Sequence, residues 1–532
     1  MKKIKFVNIF WALFYILLFV SLLRGGFSYL DPDFGWHLKS GQEISQSGQV
    51  PRINHYNFTY TGNWVNHEWL SDWAAFQIYN NIGYAALVVL FAALIVLVMI
   101  ILQIYWRRQL QDKSLFWVVA VLQLLGVQAA LPHFGVRMQE LALLFVLITL
   151  IIIAQYQKTR NFRWLLILPP GMFLWASLHA SFLLGFFLMF SWLGIKIGER
   201  LIQDNFLNWK PTFWLREHLV TENILAWRHL VRFFYFIIFS LVATLLTPYR
   251  LELYSFLSGY QNRAYLSLIQ EWLPQHIFPL HYDQLAYLAL GLIALIFYFY
   301  ERLKRRHSLD WWQIFLTSVF LFLSWQSRRH FPLFLVVSFG LMLEVYSNFF
   351  KEIKPGYKKW LQGLTLACLI LAITAKAITV KQITDPFSSF CQKYPCQAVA
   401  FLQESPEYQE LNLFNKYSWG GFLIWIWPEK KIFIDGRLPQ VEFAGHTFVE
   451  EYFSFFQEDA DFASKLEAYD IQLVLLDAES KPLQLKRWEK FFFNIKDEDL
   501  QSRNYLRDYL DNSTSWQTVY QDRTAKIYLL TK

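Results

Sequence analysis

The sequence predicts an α-helical polytopic membrane protein with about eleven transmembrane helices and a C-terminal α/β domain on the extracytoplasmic side. Three observations carry this prediction. The first is composition: of 532 residues, 55% are hydrophobic and only 17% are charged, against about 25% charged in an ordinary soluble domain. The second is blocking. The apolar residues stand in runs close to the roughly 20 needed to cross hydrocarbon about 30 Å thick, and a spanning backbone must satisfy its own hydrogen bonds, which makes these runs helices. The third is a split of charge. Residues 381–532 hold 17 Lys and Arg against 23 Asp and Glu, and the first 380 hold 32 against 18.

Spans are predicted near 6–24, 84–105, 115–131, 138–154, 164–178, 181–197, 231–247, 284–300, 310–327, 331–348 and 360–380. The pair 164–178 and 181–197 reads as two helices joined by a tight turn, because Pro169-Pro170-Gly171 and Leu178-His179-Ala180-Ser181 interrupt the pattern. With the N-terminus inside, the inner segments and Lys196 at the membrane edge hold 22 Lys and Arg, and the outer segments hold 8. That asymmetry has the direction of the positive-inside rule. The chain therefore reads as a multi-pass protein of the inner (plasma) membrane with a cytoplasmic N-terminus. A membrane domain, 1–380, carries an outer loop, 31–83, and an odd number of spans places 381–532 outside. Met1-Lys2-Lys3-Ile4-Lys5 and the apolar run after it read as a first helix that is retained, since no small-residue cleavage site follows. The long inner segment 198–230, rich in Trp and Leu, reads as amphipathic helix on the inner surface. Basic loops facing anionic lipid, with an acidic tail domain, predict membrane lipids and not nucleic acid as a partner.

Within the tail domain, apolar β-rich runs at 421–427, 431–435 and 471–477 are expected as strands. Those at 516–521 and 525–530 flank a turn as a hairpin, and helices are expected near 395–405 and 446–468. Cys391 and Cys396 stand five apart. In an oxidising compartment they could close as a disulfide, and spacing alone leaves two free thiols equally open.

The chemistry-bearing residues fall on one predicted side. Asp31 and Asp33, in Asp31-Pro32-Asp33-Phe34-Gly35-Trp36-His37, could share a divalent cation such as Mg or Mn, or act as base and orienter. The competing reading is that Asp-Pro ends one helix and caps the next. His67 and Glu68 stand among tryptophans as metal ligand, proton carrier or substrate clamp, or as the wet face of an interfacial helix. Also on that side are His133, Arg137, His179, Arg250, Glu271, Arg328, Arg329 and His330. Two arginines between short-linked spans are costly without an anionic partner, and their donor forks match phosphate oxygens. The plainer alternative is that both snorkel to headgroup phosphates. Convergence of these groups predicts one polar pocket under the tail domain. No Walker motif, GxGxxG element, CxxC pair or Ser-centred elbow occurs, so no nucleotide partner and no redox chemistry is expected.

The stretches DPDFGWHLKSGQEISQSGQVP (31–51), GNWVNHEWLSDW (62–73), WASLHASFLLGF (175–186), TPYR (247–250), IQEWLP (269–274), the arginines at 328–329, and FNKYSWGGFLIW with IFIDGR (414–425, 432–437) together resemble the GT-C superfamily of membrane glycosyltransferases, in particular a group of bacterial proteins of that type. The resemblance implies a polyprenyl-phosphate-linked sugar donor, transfer at the outer face, and Asp31 and Asp33 as catalytic acidic residues and metal ligands. In the same scheme His37, His67, Glu68, His179, Glu271, Arg328 and Arg329 bind substrate. The pattern departs at Asn54, where an acidic residue is expected, and at His179-Ala180-Ser181, where glycine is more usual. A reading from another class is a non-catalytic membrane scaffold whose tail domain binds an envelope partner. Substitution at Asp31 or Glu271 would then lower assembly and not a chemical rate. A transporter is disfavoured by the near absence of ionisable residues in mid-helix.

Overall fold

The computed structural model describes residues 2–108, 115–204, 224–259, 268–305, 307–351, 355–381, 390–437, 441–443, 445–479, 483–496, 500 and 503–531. The membrane half is built from α1 (Lys2–Ser28), α2 (Phe34–Ser47), α3 (Trp69–Ile82), α4 (Tyr84–Arg107), α5 (Phe116–Ala130), α6 (Leu141–Thr159), α7 (Leu168–Leu178) and α8 (Leu183–Gln203), then α9 (Trp227–Thr244), α10 (Glu252–Ser258), α11 (Tyr282–Lys304), α12 (Trp311–Gln326), α13 (Phe331–Lys351) and α14 (Pro355–Lys381). Among the described residues, eight helices are long and apolar enough to cross a membrane. The other three predicted spans also fold as helices. The segment Phe162–Leu178 and the 16-residue α12 are short, and α14 contains the apolar segment Gly363–Ala372. The break at His179 is present, with its backbone extended between α7 and the turn before α8. Part of the segment 198–230, expected as surface helix, lies outside the described residues.

These helices are apolar all round because one face meets the bundle and the other meets lipid. In α4, Leu90, Leu97 and Ile104 recur every seven residues on the exposed face, while Leu87, Val98, Met99 and Leu102 are buried. Several polar side chains within the bundle are paired, which offsets the cost of placing them in hydrocarbon. Gln123 donates to the Met99 carbonyl at 2.7 Å, Tyr346 donates to the Leu290 carbonyl at 2.8 Å, and Lys196 meets Glu199 at 2.9 Å.

The tail domain is a four-stranded sheet of β1 (Leu413–Asn415), β4 (Leu473–Asp477), β6 (Ala525–Leu530) and β5 (Trp516–Gln521), in that order, with the short hairpin β2 (Glu442–Phe443) and β3 (His446–Thr447) beside it. β1 runs parallel to β4, and the other neighbours are antiparallel. The predicted hairpin 516–521/525–530 and the helix α15 (Cys396–Glu404) are present, and Cys391 and Cys396 form a disulfide. Two predicted strands are not found. Residues 421–427 lie in the helix α16 (Gly420–Ile426), whose residues from Gly420 to Ile424 are all buried, so no period is left to separate helix from strand. In 431–435 only isolated bridges occur, from Ile432 to Asn57 and to Leu413. The stretch 446–468 begins as β3 and continues as two short helices, Phe448–Ser454 and Phe462–Ala468.

The sheet explains how the tail meets the membrane half. β4 is an unbroken apolar run because both faces are covered. Val474 and Leu476 point into a core with Phe414, Phe448 and Tyr452 of the tail itself. Leu473 and Leu475 point the other way, into a core shared with Phe34, Trp36, Tyr56 and Trp64 of the first loop. First loop and tail thus form one packed unit above the bundle. Residues 390–531 produced alone are therefore expected to bind a hydrophobic dye strongly and to unfold without a sharp transition, whereas the full chain in detergent should give neither result.

Candidate functional site

The first loop folds by local rules that aim its carboxylates. After α1, the Asp31 Oδ1 accepts from the Asp33 N–H at 2.9 Å, an Asx-type turn that leads directly into α2. Asp33 sits at the N-cap of α2, and its Oδ1 accepts from the Trp36 indole N–H at 3.0 Å. The other oxygen of Asp31 lies 2.5 Å from Arg137 Nε, and Arg137 also donates to Glu271. Asp33 thus occupies the N-cap position without a side-chain capping hydrogen bond, and both carboxylates line the cavity described below.

One turn on, α2 delivers His37. Helix α3 approaches it closely because Gly41 lacks a side chain: a Cβ there would stand 2.1 Å from the Asp72 carbonyl oxygen. The result is a buried chain of alternating imidazoles and carboxylates. His37 Nδ1 meets Asp72 Oδ1 at 2.6 Å, and its Nε2 is 3.5 Å from Glu68 Oε2. Glu68 Oε1 lies 2.9 Å from His179 Nε2 and 3.7 Å from His67 Nε2. Because His179 Nδ1 accepts from the Ser181 N–H at 2.9 Å, its neutral form must carry the proton on Nε2 and donate to Glu68. Asn66 closes the chain by donating to Asp72 Oδ2 at 2.7 Å.

All of these groups except the fully buried Asp72 line a cavity of about 670 Å³, which also receives His133, Arg137, Glu271, Trp272, Arg329 and His330. The Arg329 guanidinium lies over the Trp272 ring at 4.8 Å. Arg328, one residue earlier on the same short turn, does not line this cavity. It is buried, and its Nη2 donates to the Ile277 carbonyl. The expectation that both arginines face the pocket is therefore met by Arg329 alone.

The tail closes the chamber through glycines. A Cβ on Gly35 would stand 2.0 Å from the Gly421 carbonyl oxygen, and one on Gly421 would stand 2.2 Å from that of Pro32. Gly436 approaches the carboxylate itself: its Cβ would be 2.0 Å from Asp33 Oδ1. Beside it, Arg437 pairs with Asp435 through Nε and Nη2, each at 2.8 Å. Its Nη2 also reaches Asn54 at 2.9 Å and Asn57 at 3.0 Å. The guanidinium is held between Tyr56 and Trp64 at 4.4 and 4.6 Å from the ring centroids. Asn54, the departure from the acidic pattern, is thus one of three side chains that accept from this arginine. Arg437→Ala would leave Asp435, 1% exposed, as an unpaired buried charge. A loss of about 3–5 kcal/mol is expected, read as a lowered unfolding midpoint of the full chain.

Environment sets the charges. Burial, then the neighbouring Asp31, pushes the Asp33 carboxyl up to about 7. Burial alone would lower His37, but Asp72 and Glu68 outweigh it and raise the imidazole to about 9. Burial likewise pushes Glu68 up, yet His179, His67 and His37 hold it below its ordinary value. Glu271 is held below its ordinary value by Arg137 and Arg329 against the same effect of burial. His67, buried and beside His179, is lowered. For a cation, the ligand atoms of His37, Glu68 and Asp72 lie within 4.8 Å of one another and form the one such group among the described residues. Asp31 is instead committed to Arg137. A metal on His37 would displace its proton.

Of the chemistry-bearing residues singled out in sequence on the outer side, all but Arg250 and Arg328 line this cavity. Asp72 and Asn66, and the aromatic pair around Arg437, were not singled out. The Glu68–Asp72 spacing of four at a helix start was a usable signal, since it puts both on one face.

No protein-family model and no curated protein sequence matches the chain. In fold it is similar to the archaeal oligosaccharyltransferase AglB from Archaeoglobus fulgidus, solved in complex with an inhibitory peptide and a dolichol-phosphate. That likeness has a TM-score of 0.51 at 11% identity and covers 100% of this chain and 75% of that one. The apo oligosaccharyltransferase aligns at 0.48 with 12% identity over 87% and 69% of the two chains. The form tethered to an acceptor peptide aligns at 0.49 with 11% identity over 97% and 74%. The likeness lies in the architecture, a polytopic helical bundle with a small C-terminal α/β domain.

Proposed function

We propose that the protein is an inverting membrane glycosyltransferase that moves a sugar from a polyprenyl-phosphate-linked donor to an acceptor at the outer face of the membrane. One observation carries the reading: the Asp33 carboxyl and the guanidinium of Arg329 open on the same chamber. The AglB neighbour, bound to a dolichol-phosphate, supports a lipid-phosphate ligand for such a chamber. The outer-face assignment rests on the charge asymmetry of the loops.

In this mechanism Asp33 accepts the proton of the acceptor hydroxyl as its oxygen attacks the anomeric carbon. The bond from that carbon to the phosphate oxygen breaks, and its electron pair leaves on the lipid phosphate, where Arg329 neutralises charge. Asp31, fixed by Arg137, orients Asp33 through the turn. His37, His67, Glu68, His179 and Glu271 line the sugar subsite. Arg328 holds the loop at Ile277 in place. A divalent cation, if bound, would be held by His37, Glu68 and Asp72 and would supply electrostatic stabilisation of developing negative charge. Mixed imidazole and carboxylate donors suit Mn better than Mg.

Protein reconstituted with a polyprenyl-phosphate-linked sugar is expected to release polyprenyl phosphate in step with sugar transfer. Since the base must be ionised, the rate should climb as pH rises through about 7. A profile that is flat across that range would remove Asp33 from the role of base, and the absence of any turnover with lipid-linked sugars would favour the scaffold reading.

A further inference from the structure

The tail domain carries a feature that the glycosyltransferase reading does not use. The helix Arg487–Phe493 exposes Phe491 by 81%, Phe492 by 75%, Phe493 by 49% and Trp488 by 43%. Three consecutive phenylalanines on a soluble domain are costly in water if left exposed. Their position resolves the problem. Phe278 packs on Phe493 with ring centroids 5.0 Å apart, Tyr282 packs on Trp488 at 5.1 Å, and the Tyr282 hydroxyl donates to Glu489. Tyr282 is the first residue of the span Tyr282–Lys304, the level at which aromatic belts sit in membrane proteins.

We infer that the helix Arg487–Phe493 is a membrane foot, which lays Trp488 and the three phenylalanines into the boundary between headgroups and acyl chains of the leaflet where that span begins. Three further observations fit lipid as the occupant. The exposed apolar surface is continuous: Ile277 is 39% exposed, and Trp325, whose carbonyl accepts from Gln275 at 3.0 Å, is 44% exposed. The same span shows its lipid-facing side in Ile296 and Phe297, exposed by 58% and 51%. Lys486 and Arg487 are exposed at the start of the foot, where basic groups meet lipid phosphates. The inference requires only that the span begin at the boundary, so it holds whichever leaflet this is and whatever reaction the cavity performs.

The test uses the full chain in vesicles of phosphatidylcholine and phosphatidylglycerol, with Cys368→Ser so that the disulfide-bonded Cys391 and Cys396 leave no competing thiol. A nitroxide on Phe492→Cys is expected to collide with oxygen in preference to a water-soluble nickel chelate. Its ratio should lie below that of a label on Ile296→Cys, deeper in the span, and exceed that of a label on Gln517→Cys in the exposed strand. Equal or greater access to nickel overturns the inference, and so does protection from both reagents, which would assign the helix to a protein partner. A benzophenone side chain at position 491 gives an independent reading: a lipid adduct supports the foot, and a protein adduct or none contradicts it.

Discussion

Asp33→Asn is expected to abolish sugar transfer, a loss of about 10²–10⁴-fold for removal of a positioned general base, while membrane yield and unfolding midpoint stay near those of the parent. The stability half of this expectation follows from the site. The amide keeps the acceptor oxygen for the Trp36 indole, 3.0 Å away, and it removes a carboxylate that burial and Asp31 already disfavour. Folding should therefore be unharmed or slightly favoured, and only the proton transfer is lost. Turnover retained by this variant with a lipid-linked sugar would contradict the assignment, and a loss of yield in proportion to activity would move Asp33 to a structural role.

Gly436→Ala is the second large effect expected, and it arises 403 residues away in sequence. A methyl group 2.0 Å from Asp33 Oδ1 cannot be accommodated without moving the carboxylate or the turn that carries Arg437. Displacement of a reacting group by about 1 Å costs roughly 10²-fold in rate. The expected signature is a fall in kcat larger than any change in KM, with the disulfide and the membrane insertion intact. Gly35→Ala makes the contrast: its Cβ would meet the Gly421 backbone at 2.0 Å, where nothing flexible can yield, so undocking of the tail and lowered yield are expected before any kinetic effect.

Much of this architecture was legible because its signals are local. Length of apolar runs marked the helices, and the interruption at His179 marked a turn. The pattern around Asp522-Arg523-Thr524 marked the β5–β6 hairpin. The first loop also announced itself, since Asp31-Pro32-Asp33 can only be a turn and its carboxylates had to point somewhere. What escaped was set by tertiary contact. The run 421–427 reads as a strand until both its sides are known to be buried. Arg328 and Arg329 are neighbours of one type, and only the packing of the Ile277 loop tells which of them enters the chamber. The pairing of His37 with Asp72 depends on Gly41 letting two helices close, and the contact of Arg437 with Asn54 and Asn57 spans most of the chain. None of these leaves a periodic trace.

The central claim is a chamber in which a first-loop carboxylate faces a guanidinium suited to a lipid phosphate. It is tested most directly by the structure of the full chain, reconstituted in lipid, with a bound polyprenyl phosphate. Density for the phosphate between Asp33 and Arg329, with the isoprenoid leaving toward the bilayer, is the expected result. A lipid phosphate seated elsewhere while that chamber stays free of it would contradict the account.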